Sequence, residues 1–133
     1  MILRNRRMIE PFITKDGSEV RELLHPKNSR VHKLSIAEAR VRPGGATKEH
    51  FHRTSEEVYY ILSGEGEMYI DEEKARIKAG DVVLIPAGAK HYVVNKGEEE
   101  LIILCACSPP YSHEDTVLTE GDQPYLRGSQ EDS

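Results

Sequence analysis

From Val31 to Cys107, apolar and polar residues alternate in short runs broken by glycine, proline and acidic turns. In the first run Ala37, Ala39 and Val41 fall on one face, and His32, Leu34 and Ile36 on the other, as side chains do on a strand of period two. Pro43-Gly44-Gly45 breaks it. Further strands are predicted over residues 47–52, 58–62, 67–70, 75–77, 82–85, 91–94 and 101–107. Short strands at this spacing, with almost no helical period, predict an all-β antiparallel sandwich or small barrel.

The ends of the chain break this pattern. Residues 1–11 carry little periodicity and close at Pro11; residues 12–14 suit a short strand and Lys15-Asp16-Gly17 a turn. Ser18 is placed to cap a short helix over residues 19–24, which His25-Pro26 would stop. Near the other end, Val117 and Leu118 are suited to pack back on the body. The stretch 112–133 has six acids against one arginine and one histidine, so a mobile tail is expected from about Gly121. The expected organisation is therefore an N-terminal arm with a strand and a helix (1–30), a β-barrel (31–118) and an acidic segment (119–133). With 133 residues, one domain can bury a sizeable core.

Composition narrows the partners. A net charge of -5 and a pI near 5.7 argue against a nucleic-acid partner, which needs a clustered basic face. Arg4, Arg6 and Arg7 read as a solvated arm. No apolar run approaches the roughly 18 residues of a membrane span, and the N-terminus lacks the apolar core and cleavage site of a signal peptide. No membrane partner and a cytoplasmic location are expected. Cys105 and Cys107 share one strand face, too close in sequence to bridge each other easily, and read as reduced, buried thiols.

The candidate chemistry lies between these limits. On a strand, His50 and His52 present two imidazoles to one face, and Glu57 can swing back to the same point. His91 opens a later strand just after a Pro-Ala-Gly loop; facing inward, it would add a third imidazole. Three nitrogens and a carboxylate with open positions suit Lewis-acid or oxygen chemistry, whereas structural zinc sites are closed and usually rich in cysteine. Tyr59 shares a strand face with Glu57 and could orient it; Arg53 could hold an anionic substrate, and the usual outcome for it is a solvated side chain. His25 and His113 read as surface histidines.

Two motifs carry a family resemblance. Gly44, His50, His52, Glu57 and Gly64 match G-x5-H-x-H-x3,4-E-x6-G, and Gly80, Pro86, Gly88, His91 and Asn95 match G-x5-P-x-G-x2-H-x3-N, with 15 residues between them. The sequence resembles the cupin superfamily over residues 44–95 and, more loosely, 31–108. Glu56 also meets the looser spacing, but Glu57 keeps the six-residue gap to Gly64 and shares a face with Tyr59 and Ile61. The resemblance implies a double-stranded β-helix (jelly-roll) barrel and metal ligation by His50, His52, Glu57 and His91. Asn95 is then a hydrogen-bonding strand end. One divalent metal per chain is implied, with manganese or iron favoured and zinc, nickel, cobalt or copper also compatible. The implied function is a metalloenzyme acting on an oxygen-rich small molecule such as a sugar, sugar phosphate or carboxylic acid, by isomerase- or dioxygenase-type chemistry. The alternative is a non-catalytic metal- or effector-binding module. The resemblance also implies a homodimer, often with the N-terminal strand exchanged, for which Met8, Ile9, Phe12 and Ile13 would be suited.

Overall fold

A computed structural model describes residues 1–119; the acidic segment expected beyond them lies outside the described residues from position 120. The described chain is nearly all β, in two antiparallel sheets. In chain order the strands are β1 (Phe12–Ile13), β2 (Glu19–Leu24), β3 (Ser35–Val41), β4 (His50–His52), β5 (Glu56–Ser63), β6 (Glu65–Ile70), β7 (Glu73–Lys78), β8 (Val82–Ile85), β9 (His91–Val94), β10 (Leu101–Ser108) and β11 (Thr116–Leu118). One sheet runs β1-β2-β3-β10-β5-β8 and the other β11-β4-β9-β6-β7. Sequence neighbours often lie in opposite sheets, the wrapping of a double-stranded β-helix.

The inner faces of the two sheets pack on one another. Ile61, Ile85, Val93, Leu101 and Ile103 are almost wholly buried there, with Val41, Met68 and Ile77 around them. Burying each such side chain contributes roughly 1.5–3 kcal/mol. Gly64 shows why the β5–β6 turn requires glycine: its φ is +89°, and a Cβ there would stand 2.5 Å from the Glu100 carbonyl. Asn95 ends β9 as the sequence suggests. Its Nδ2 donates to the Val41 and Glu99 carbonyls, and its Oδ1 accepts from Gly97 N–H.

Three sequence expectations are corrected here. The helix expected over residues 19–24 is strand β2; the one helical piece among the described residues is a 3-10 turn at Arg6–Met8. Six residues are too few to hold a helix alone, and β3 offers a complementary edge. Glu19 faces Arg40 and Arg21 faces Glu38 across that edge, pairings that stabilise a sheet. Ser18 caps no helix; its hydroxyl donates to Asp16 Oδ1. Arg6 is not a free solvated side chain: its guanidinium holds Glu38 at 2.9–3.2 Å and moors the arm to the barrel. His25 is buried rather than superficial. Its Nδ1 accepts from Lys27 N–H, so Nε2–H donates to the Tyr111 carbonyl at 2.8 Å.

Val117 and Leu118 do pack back, as part of β11 against β4. The arm lies on its own barrel through β2–β3 pairing. Among the described residues no helix is long and apolar enough to cross a membrane.

Candidate metal centre

β4 is only three residues long, yet it is held on both sides. β11 pairs Thr116 with His52 and Leu118 with His50, and β9 sets His91 directly opposite His50. Period-two alternation turns His50 and His52 inward and leaves Phe51 half-buried on the other face. Glu57 enters from the start of β5 in the facing sheet, paired with Cys107 on one side and Ile85 on the other. The sequence thus converges four donors from three strands. His50, His52, Glu57 and His91 are all buried, and one ligand atom of each lies within 4.8 Å of the others. Glu56, the alternative carboxylate, is exposed on the opposite face.

The outward ring nitrogens decide how the rings are presented. His50 Nδ1 lies 2.8 Å from the Lys48 carbonyl and His91 Nδ1 2.9 Å from the Ala89 carbonyl. A carbonyl only accepts, so both rings carry their hydrogen on Nδ1. His52 Nδ1 lies 3.0 Å from Thr116 Oγ1, whose own hydrogen is donated to the Ser112 carbonyl at 2.8 Å. That hydroxyl must therefore accept from His52. In each neutral ring the Nε2 lone pair is left facing the centre.

With the rings neutral, no group among the described residues donates to them; a proton on His52 Nε2 would donate to Glu57 Oε1. His52 Nε2 is 3.1 Å from Glu57 Oε1, and His91 Nε2 is 3.6 Å from the same oxygen. His91 Nε2 is fully buried with no hydrogen-bond partner. Burial alone would raise the Glu57 carboxyl, but hydrogen bonding and charge from His52 and His91 outweigh it and hold Glu57 far below the ordinary carboxylate range, so Glu57 is a carboxylate whichever positive group, proton or metal cation, shares the centre. Burial, then the neighbouring His91, push His50 down from the usual histidine value. Three lone pairs and a carboxylate packed without an intervening hydrogen repel one another unless a cation stands between them. Such a donor set fits a divalent transition metal, and the outward Nδ1 contacts are the supports that ligating histidines use.

A cavity of about 60 Å³ opens onto His50, His52 and Glu57, several times the roughly 10–15 Å³ one water needs. Val41, Val93 and Ile103 form its floor, and Ala37, Ala39, Tyr59 and Cys105 line its wall. Tyr59 presents its ring edge to His91, with centroids 6.1 Å apart. Burial, then the charge of Glu57, raise the Tyr59 hydroxyl and both thiols well above their usual values, so all three stay neutral. Cys105 and Cys107 are free thiols, as the sequence suggests.

Arg53 is exposed and does not belong to the cavity lining; His113 is exposed too. Sequence reasoning missed four residues that bear on the site. Thr116 orients His52, and Tyr111 stands 6.0 Å from the His52 ring, centroid to centroid. Asp16 and Phe12 reach the cavity from the arm. A lone threonine or an Asp-Gly turn carries no local sign of such a role.

Comparison with known proteins agrees with this geometry. The profile of the Cupin domain matches residues 37–107. The chain belongs to the cupin family. It is 53% identical to an uncharacterized protein of Methanocaldococcus jannaschii, over 84% of this chain and 90% of that one. Its fold superposes on the crystal structure of a predicted oxalate decarboxylase from Thermotoga maritima with a TM-score of 0.71 and 30% identity, covering 82% of this chain and 99% of that one. It also matches the polyketide cyclase RemF of Streptomyces resistomycificus, with a TM-score of 0.78 over 97% of this chain and 93% of that one. At 19% identity that second likeness speaks for the fold alone.

Proposed function

We infer that this cupin is a divalent-metal enzyme acting on a small molecule that presents two oxygens, such as a sugar, sugar phosphate or carboxylic acid. One observation carries the inference: one donor atom from each of three imidazoles and from the Glu57 carboxylate lie within 4.8 Å of one another, and His91 Nε2 is buried without a partner among the described residues. A buried polar atom of this kind is costly unless something binds it. Three imidazoles and one carboxylate suit manganese or iron best; zinc, nickel, cobalt and copper also accept such donors. When bound, the ion supplies Lewis-acid polarisation of substrate oxygens or, for iron and manganese, redox chemistry.

The chain's own residues do the rest. Lys48, Ala89 and Thr116 fix the ring orientations. Val41, Val93, Ile103 and Tyr59 keep the reacting end of a substrate among apolar groups and exclude water. The apolar enclosure suits an enolised or otherwise charge-delocalised species, as in isomerisation, epimerisation, decarboxylation or dioxygenation. The name of the Thermotoga maritima neighbour supports a carboxylic acid among the candidates.

Protein purified without an affinity tag should carry close to one transition-metal ion per chain, and a His50→Ala/His91→Ala variant should carry none. Oxygen-consumption and isomerase assays over a panel of sugars and acids then test turnover. Silence across that panel with metal bound would support the non-catalytic binding module instead.

The outer face of the larger sheet supports a homodimer. Tyr60 and Val82 are paired across β5 and β8, and with Leu62 and Leu84 they are exposed; such a patch gains by pairing. Sedimentation should give a dimer that Val82→Glu shifts toward monomer. A wild-type monomer at tens of micromolar would remove the dimer from the proposal.

A further inference from the structure

Asp16 is outside the four-donor set, yet its carboxylate reaches the site from the β1–β2 turn. Its Oδ1 accepts three hydrogen bonds: from Thr14 Oγ1 at 2.7 Å, Ser18 N–H at 2.9 Å and Ser18 Oγ at 2.7 Å. Lys48 N–H donates to the Asp16 carbonyl at 2.8 Å, which fastens the turn to the segment leading into β4. With Oδ1 held this way, Oδ2 lies 3.8 Å from His50 Nε2. Asp16 is therefore a built part of the cavity wall, with its backbone and one oxygen both anchored.

The charges around it have one sign. Asp16, Glu22 and Glu57 all line the cavity, and among the described residues no lysine or arginine does. The cationic neighbour Lys15 is turned away, its Nζ on the His113 and Thr116 carbonyls. A divalent ion with one ligating carboxylate keeps about one positive charge, which Asp16 alone offsets, and Glu22 adds a further negative charge. A dicarboxylate entering such a site would place a second carboxylate near Asp16 with no basic side chain to balance it. An oxygen ligand that keeps a hydrogen on one oxygen meets the opposite situation. Its hydroxyl can donate to Asp16 Oδ2, a charge-assisted bond of the stronger kind.

We propose that Asp16 is a specificity-determining residue that selects hydroxyl-bearing oxygen ligands, such as α-hydroxy acids, enols or phenols, over dicarboxylates. This rests on the metal-centre reading above and names the substrate class of that same site.

The test is calorimetric titration of cobalt-loaded protein with oxalate and with glycolate, which replaces one carboxylate of the same two-carbon frame by a hydroxyl. Wild type is compared with Asp16→Asn, which keeps an oxygen for Thr14 and Ser18 and removes the charge. Cobalt content is first measured by elemental analysis. Both proteins should load equally, and the substitution should tighten oxalate by about tenfold or more while weakening glycolate. An unchanged oxalate-to-glycolate ratio overturns the proposal. Loss of cobalt from Asp16→Asn also overturns it, because Asp16 would then be a ligand. Failure of wild type to load cobalt overturns the metal-centre reading and this proposal with it. If Asp16→Asn does not fold, wild type alone decides. Its preference for oxalate over glycolate should be smaller than that of free cobalt in the same buffer by about tenfold or more, and an equal preference overturns the proposal.

Discussion

The two ends of the barrel interior are built on the same strands and end in opposite character. On the larger sheet, Ala39, Ile103 and Ile61 form one inward row, with Val41 and Leu101 beyond it; Ile61 and Leu101 are almost wholly buried, and Ala39, Val41 and Ile103 close the cavity floor. Toward the other end the rows become Ala37, Cys105 and Tyr59, then Ser35, Cys107 and Glu57. Along β3 alone the inward residues run Val41, Ala39, Ala37 and Ser35, losing bulk toward the histidines. Strand alternation is unbroken from Ser35 to Val41 and from Glu57 to Ile61, and the β5–β10 register shifts between Ile102 and Ile103. The cavity exists because small and polar side chains replace large apolar ones on the same frame, so the packed end carries stability and the open end leaves room beside the four donors.

That contrast can be broken from either side. Ile61→Ala should have the largest effect, destabilising by about 2–5 kcal/mol in chemical denaturation, because the packed end cannot close over the lost volume. Thr116→Val removes the hydroxyl that accepts from His52. It should weaken metal affinity by roughly 10–100-fold in a competitive chelator titration while leaving the far-ultraviolet spectrum unchanged.

Glu38→Gln tests the mooring of the arm that walls the open end. Burial alone would raise the Glu38 carboxyl, but hydrogen bonds and charge from Arg6 and Arg40 outweigh it and lower it from 4.5. A lowered folded value means the stabilisation is fully present above the unfolded value and is lost as pH falls through the folded one. Wild type should therefore exceed Glu38→Gln by about 1–2 kcal/mol near pH 7, and the gap should shrink as pH drops below 4.5. A gap that widens on acidification would contradict the assignment. The smallest change in stability is expected from Ala37→Leu, less than about 1.5 kcal/mol, since the side chain enters open space. It should nonetheless abolish glycolate binding to the loaded protein without lowering metal content.

The two ends also differ in how much the sequence reveals. The donors His50, His52, Glu57 and His91 are legible because strand alternation and two spaced motifs turn them toward one interior from the two facing sheets. The barrel strands are legible for the same reason. Strand β2 was not, because its state is decided by Arg40 and Glu38 on a remote strand rather than by its own six residues. Asp16 reads locally as a turn, and its reach to His50 depends on how the β1–β2 hairpin lies across β4. Thr116 acquires its role only when β11 pairs with β4, and His25 is buried only because Tyr111 returns over it. Residues recruited by distant pairing carry no local pattern.

The central claim, that four buried donors are gathered to hold a divalent cation, is tested most directly by metal analysis of untagged protein. Wild type should contain close to one transition-metal ion per chain, regain it after chelation and dialysis against manganese or iron, and lose it in His91→Ala. Wild-type protein that carries no metal and takes up none on reconstitution would contradict the account.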